Sequence, residues 1–517
     1  MERKDAGKNT SHVLFLLVFS LLVLLVCSAT SPLYQSHDWT DANTYLTMGR
    51  GLLKGAVPYR DLFDHKGPVL YAIYALGALL DPKGFGGVFL LQWAGLLGTL
   101  WCLFRIGRLF VQEGRALVCA CVAPVFLFTA GIYYLPQNLD YGGGSAEEFC
   151  LPLFAFALWL ISRGECRGWQ RRDFLLLGLS MGLVLQIKLN LALFWVGILL
   201  PVFLHHWAEK RWNDSLRKAI QVLGGILISL VPYVLYALGT GSLGDCVRAY
   251  LAFNQSYAAG TGGGLIWLIK HTVLQAYQTL LGTPVVAVSV LGGFLGLCCL
   301  KGGSLWWKGS MCGAMAALGA AIFVGRVMLY NLLPLMLFAF WGVLTLVCRV
   351  PERIYWGRQA AYLLCAGLFA AVIAQNQTIF YKPLFCSKTL TCQQQIAQQI
   401  RSGPIQNPSL LEAGMLSRGF YNELGVIPTI YYFYLPNVSY DQHPEILDSQ
   451  LSYILAEETD YVVLQGDTPR ISLQNLPQEG AIARLFQAAF DHYNLKCVVP
   501  GTGAVDHLYY YLFEVES

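Results

Sequence analysis

Apolar runs recur through the first 378 residues, each set off from the next by a short polar stretch. A helix of about twenty apolar residues crosses a bilayer core of about 30 Å. The pattern predicts about eleven spans, at 12–30, 86–106, 116–135, 149–162, 174–187, 191–207, 220–239, 273–300, 309–325, 332–348 and 359–378. The pair 174–207 could be one long tilted helix, but Lys188 and Asn190 interrupt it. The segment 68–80 (PVLYAIYALGALL) is too short to span and is expected to pack as an interfacial helix on the outer face.

Beyond residue 378 the pattern changes. Strand-like runs occur at 410–416, 460–466, 495–501 and 507–515, with helical stretches at Gln393–Ile400 and Gly480–His492 between them. About 140 residues can bury a core of their own. The expected fold is therefore an all-α polytopic membrane bundle over 1–378, with a small extracytoplasmic α/β domain over 379–517.

Composition agrees. The chain is 56% hydrophobic and only 13% charged, against about 25% charged in soluble domains. The net charge of +4 carries no nucleic-acid signature. A basic start (Arg3, Lys4, Lys8) before the first apolar run also fits a cleavable signal, but the topology works best if this helix stays. Lysine and arginine gather in alternate loops, which puts the N-terminus in the cytoplasm. An odd span number then puts the tail outside, in a multi-pass protein of the cell membrane. The fifteen cysteines fit no metal framework, and a Cys386–Cys392 disulfide is compatible with an outside tail without being established by the sequence.

The chemistry-bearing residues fall in the outer loops. The first loop, Ser36 to Pro68, carries Asp38, Asp41, Tyr59, Asp61, Asp64, His65 and Lys66. Asp41 before ANTYLTMGRGLL suits the start of a capped amphipathic helix; it also suits a general base at the membrane face. Lys66 suits headgroup snorkelling or neutralisation of a substrate phosphate. Glu147 and Glu148 open a span, where the helix dipole favours them. They lie about 100° apart on a helix, so one is expected to face the bundle. Lys188, in or beside the membrane, is a functional candidate by default, and Arg326 lies in a later outer turn.

These residues resemble those of the fold-type-C (GT-C) glycosyltransferases that use polyprenyl-phosphate sugars, among them the protein O-mannosyltransferases and the bacterial aminoarabinose transferases. Asp41, then Gly55-Ala-Val-Pro-Tyr59, then Asp64-His-Lys-Gly-Pro68 match the first outer loop, closest to Firmicutes-type enzymes, and GGSAEEF resembles their second acidic element. Lys-Gly-Pro replaces Lys-Pro-Pro, which loses one rigid residue and keeps Lys66. The resemblance implies an inverting membrane glycosyltransferase of polysaccharide or cell-envelope biosynthesis. Its donor is a polyprenyl-phosphate-linked sugar, hexosyl or pentosyl, and its acceptor an extracytoplasmic glycan or wall polymer. Asp41 would be the catalytic base. Lys66, Lys188 and Arg326 would bind the donor phosphate, and Glu147 or Glu148 would orient the acceptor or hold a divalent cation; no other cofactor is implied. A polymerase or ligase of lipid-linked glycans and a transporter or flippase of such lipids are the alternatives, although the paired repeats of a transporter are missing.

Overall fold

Segment 36–68 organises one end of the bundle because its polar residues fold rather than trail. The computed structural model describes residues 2–129, 142–255, 264–325, 327–351, 354, 356–376, 378–382, 384, 389–476, 480–502 and 507–516. Helix α1 (Glu2–Cys27) leads into this segment, where α2 (Thr40–Leu53) forms with Asp41 in its first turn. Helix α3 (Pro68–Leu80) has the bounds expected of the short apolar segment, with proline at its first turn, where the missing N–H costs nothing. It stops at Asp81, whose carboxylate accepts from the backbone N–H groups of Lys83, Gly84 and Gly86 and turns the chain into α4 (Gly86–Gly107). Gly49 lets α2 lie against α3, since a Cβ there would collide with the backbone of Tyr74 and Ala75.

Helices α5 (Glu113–Leu127) and α6 (Ala146–Arg167) follow. Ser145 and Glu148 cap α6 reciprocally, satisfying two N–H groups left over at a helix start. Helix α7 (Asp173–Leu185) ends just before Lys188, where the backbone becomes extended, and α8 (Leu189–Ala208) starts again with a 3₁₀ turn. The chain thus turns at Lys188 and Asn190 instead of running on as one helix. After α9 (Trp212–Thr240) comes a short π-helical stretch, Val247–Ala252.

The segment 273–300, expected as one span, is two helices, α10 (Leu265–Gly282) and α11 (Pro284–Cys299), bent by 111°. Pro284 has no N–H to continue the ladder and drives Thr283 out of the helical region, to φ −129° and ψ 72°. Helices α12 (Leu305–Phe323), α13 (Leu329–Cys348) and α14 (Arg358–Asn376) complete the bundle. Six described helices are long and apolar enough to cross a membrane, or seven if the bent pair counts as one. The expected eleven had also counted shorter apolar helices such as Ser11–Cys27 and Asp173–Leu185. The chain is a multi-pass membrane protein.

All four strand-like runs of the tail form strands: β1 (Leu410–Ala413), β2 (Tyr461–Gly466), β3 (Tyr493–Pro500) and β4 (Tyr509–Val515). They make one sheet in the order β1-β2-β4-β3, with β1 parallel to β2 and the other pairs antiparallel. Helices α15 (Cys392–Arg401), α16 (Pro444–Leu455) and α17 (Ala481–His492) accompany it. The apolar face of α17 packs on the sheet through the Phe486–Tyr511 and Phe490–Phe513 ring pairs. Cys386 lies outside the described residues.

The sheet segment is joined to segment 36–68. Phe63 N–H donates to Tyr431 O at 3.0 Å, Tyr431 Oη donates to Tyr59 O at 3.2 Å, and Asn422 Nδ2 donates to Asn43 Oδ1 at 3.1 Å.

Candidate active site

A cavity of about 610 Å³ opens between segment 36–68, the α7–α8 turn, the start of α13 and the tail. Asp41, Asp64, His65, Lys66 and Lys188 line it, so residues far apart in sequence are brought to one place. Arg326 lies outside the described residues.

Asp41 enters from the first turn of α2. Its Oδ2 accepts two phenolic hydrogen bonds, from Tyr45 one helical turn on (3.1 Å) and from Tyr330 at the start of α13 (3.2 Å). Lys188 is ion-paired with the buried Glu147 carboxylate, donates to Asn331 Oδ1 at 3.1 Å, and lies 5.8 Å from the centre of the Tyr330 ring. One residue pair, Tyr330-Asn331, thus touches both the acidic and the basic side of the cavity.

Lys66 is held differently. Its Nζ donates to His65 Nε2 at 2.8 Å, and His65 Nδ1 lies 3.4 Å from Asp64 Oδ1. Burial, with the Lys66 charge beside it, pushes the His65 imidazole well below its ordinary pKa. The ring is therefore neutral, and because Nε2 accepts, its proton is on Nδ1, facing Asp64. Asp64 is buried and accepts from Tyr71 Oη and from Tyr434 Oη of the tail, both at 2.8 Å. Tyr59 supports the turn from behind. It sits at φ 68°, a costly conformation for a bulky residue, and its Oη donates to Lys66 O at 2.6 Å.

Gly67 brings the two lysine-bearing segments together. Its N–H donates to Ile187 O at 3.2 Å, Val69 N–H donates to Gln186 O at 3.0 Å, and a Cβ at Gly67 would overlap the Gln186 carbonyl. This is the physical reason for Lys-Gly-Pro at this position.

Other candidates fall outside the cavity. Asp38 pairs with Lys382 at 3.2 Å, and although burial pulls its carboxyl upward, the Lys382 ammonium wins and holds it below the ordinary value. Asp61 pairs with Arg60 at the surface. Glu148 caps α6, its Oε2 accepting from Gly144 N–H at 2.6 Å and from Gln92 Nε2 at 2.7 Å. Of the adjacent glutamates, Glu147 is therefore the one connected to the cavity. Among the described residues no group of three or more His, Cys, Asp or Glu side chains is placed to hold a metal ion.

Sequence reasoning missed Tyr45, Tyr330, Asn331 and Tyr434. Tyr330 and Asn331 lie in FVGRVMLYNLLP, which drew attention only for Arg326. The tail adds Leu416, Pro436 and Asn437 to the wall. Next to the cavity, and sharing Leu189, Asn190, Ala321 and Val324 with it, an almost wholly apolar groove of about 640 Å³ runs between α7, α8, α10 and α12.

A protein-family model described as "Putative competence-induced protein Ccs4 N-terminal domain" matches residues 2–347. The chain belongs to this family. No curated protein matches its sequence. Among solved structures, it is similar to ArnT from Cupriavidus metallidurans bound to undecaprenyl phosphate, with a TM-score of 0.57, 10% identity and 98% of each chain covered. It is also similar to the oligosaccharyltransferase AglB from Archaeoglobus fulgidus in complex with an inhibitory peptide and a dolichol-phosphate, with a TM-score of 0.52, 12% identity, and 94% of this chain and 79% of that one covered. A third likeness is to the mycobacterial arabinofuranosyltransferase AftD, with a TM-score of 0.50 and 13% identity, over 98% of this chain and 41% of that one. At these identities the likeness is one of fold, and this member of the Ccs4 N-terminal domain family has the GT-C fold.

Proposed function

We propose that the protein is an inverting membrane glycosyltransferase that moves a hexosyl or pentosyl unit from a polyprenyl-phosphate carrier to an extracytoplasmic glycan or cell-wall polymer. The observation that carries this reading is one cavity lined by the Asp41 carboxylate and the Lys66 and Lys188 ammonium groups, adjoining an apolar groove between helices. A donor with an isoprenoid tail and a phosphate head needs that pairing: apolar wall for the chain, fixed cations for the head. The GT-C fold supports it, since the similar ArnT and AglB structures hold undecaprenyl phosphate and dolichol-phosphate.

In this reading an acceptor hydroxyl attacks the anomeric carbon while Asp41 takes its proton. The bond from that carbon to the phosphate oxygen breaks, and the polyprenyl phosphate leaves with the electron pair. Cations fixed in advance stabilise the growing charge on the leaving oxygen without reorganising. The reading places the N-terminus in the cytoplasm, counts about eleven crossings, and takes 379–517 as an outer domain closing the cavity from above.

The test is turnover. Membranes containing the protein are given a panel of radiolabelled polyprenyl-phosphate sugars, and the label is followed into an aqueous or polymeric product. Consumption of one donor, abolished by Asp41→Asn, is the expected result. If no donor in the panel is consumed by well-folded protein, the proposal is wrong.

A further inference from the structure

Two phenols meet on a single oxygen of Asp41. Tyr45 Oη donates to Oδ2 at 3.1 Å and Tyr330 Oη donates to the same Oδ2 at 3.2 Å. The other oxygen, Oδ1, accepts no hydrogen bond from any described residue. A carboxylate with both oxygens free rotates about its last bond. One clamped at Oδ2 by donors from two different elements keeps Oδ1, with its lone pairs, pointed one way.

The two donors come from independent parts of the chain and are themselves fixed. Tyr45 is buried on α2 with its ring edge-on to Tyr74, at 5.4 Å between centroids. The Tyr330 ring packs against Trp39 at 5.3 Å on one side and lies beneath the Lys188 ammonium at 5.8 Å. We infer that Tyr45 and Tyr330 are positioning residues that jointly orient Asp41, leaving Oδ1 as the one atom that receives the acceptor's proton. This rests on Asp41 being the base. A rate that falls tenfold or more from a small misplacement is usual for a group that must meet a reacting atom.

The arrangement predicts a particular coupling. With either phenol gone the other still holds Oδ2, whereas with both gone nothing does. Phenylalanine isolates the hydroxyl, because it keeps the Tyr330 ring against Trp39 and Lys188 and the Tyr45 ring against Tyr74. In the labelled-donor assay Tyr45→Phe and Tyr330→Phe should each lower kcat by about threefold, within the range for one hydrogen bond. The double variant should lose on the order of 10²-fold, well beyond the roughly tenfold product of the singles, with the KM for donor unchanged. Sites that act separately give effects that multiply.

Three outcomes separate the possibilities, each on variants that match wild type in expression and thermal unfolding. A double variant beyond the product, at constant donor KM, supports joint positioning. Losses that simply multiply, or that appear in KM, overturn it while Asp41 can still be the base. An Asp41→Asn protein that transfers as well as wild type, or a wild type that consumes no donor, overturns the base itself and the positioning role with it.

Discussion

The Lys188 ammonium, which lines the cavity, is paired with the buried Glu147 carboxylate, 41 residues earlier in the chain in the first turn of α6. Glu147 is 1% exposed. A buried charge that loses its partner typically costs about 3–5 kcal/mol, while removing both partners costs far less. Lys188→Met should therefore lower the thermal unfolding midpoint clearly, and Lys188→Met with Glu147→Leu should recover most of the loss. Fluorescence-detected size-exclusion after a heating series checks this. A double variant as unstable as the single would mean that the pair is not what holds the α7–α8 turn.

The two cavity lysines should then behave differently toward the donor. Lys188 already has a carboxylate partner, whereas Lys66 rests on a neutral imidazole. Lys66→Met should raise the KM for donor by roughly 10- to 100-fold, the equivalent of a charge-assisted hydrogen bond at about 1.5–3 kcal/mol, with little change in thermal stability. Donor titration of both variants separates these effects.

Asp41 and Asp38 are three residues apart and have different partners. Asp41→Asn should reduce transfer by roughly 10²–10⁴-fold, the range for a general base, at normal expression. Asp38→Asn should instead weaken the protein by leaving Lys382 unpaired in a buried place, with a smaller effect on turnover per folded molecule. Initial rates alongside unfolding midpoints resolve the two. Ordinary transfer in Asp41→Asn would remove the base.

Stability of the sheet segment should depend on pH through Glu412. This strand residue is fully buried, and burial pushes its carboxyl up to about 7, against an ordinary 4.5, even though the Arg418 and Tyr421 backbone N–H groups donate to it. In the unfolded chain the group ionises near 4.5, so folding favours the protonated form. The contribution is complete below about pH 4.5 and is lost as pH rises to about 7. The unfolding midpoint of the wild type should fall between pH 5 and pH 8, and Glu412→Gln should flatten that slope. Equal slopes would show that Glu412 does not titrate in this range.

Gly67→Ala should be as damaging to activity as loss of a lysine, although it touches no charge. The added methyl would run into the Gln186 carbonyl and push the Lys66 loop away from the turn that carries Lys188. Donor KM and folding yield are the measurements. Wild-type values in both would mean that the loop can yield at no cost.

Much of this was legible in the sequence where local pattern decides. Alternating or apolar runs located all four tail strands, and segment 68–80 is α3 as expected. The expected sidedness of Asp41, Lys66, Glu147, Glu148, Lys188 and Arg326 pointed to one cavity; Asp41, Lys66 and Lys188 line it, Glu147 reaches it through Lys188, Glu148 caps α6 instead, and Arg326 lies outside the described residues. The bend at Pro284 was missed because apolar composition runs through it, although a proline in mid-run was the available sign. Pairings across long separations had no local signature. Nothing near Asp38 marks Lys382 as its partner, and nothing near Asp64 points to Tyr434, 370 residues on. The division of labour between Glu147 and Glu148 turned on the Ser145 cap, which was written in the sequence as Ser-x-x-Glu.

Tyr434 also bears on how such a protein can diversify. Because this tail residue hydrogen-bonds Asp64 while Leu416, Pro436 and Asn437 beside it face the cavity, the tail is not an interchangeable cap. A chimera carrying a foreign tail would lose a donor to a buried carboxylate in the bundle along with its wall. Variation among relatives should therefore fall at wall positions such as Leu416 and Pro436, while Tyr434 and Asp64 change only together.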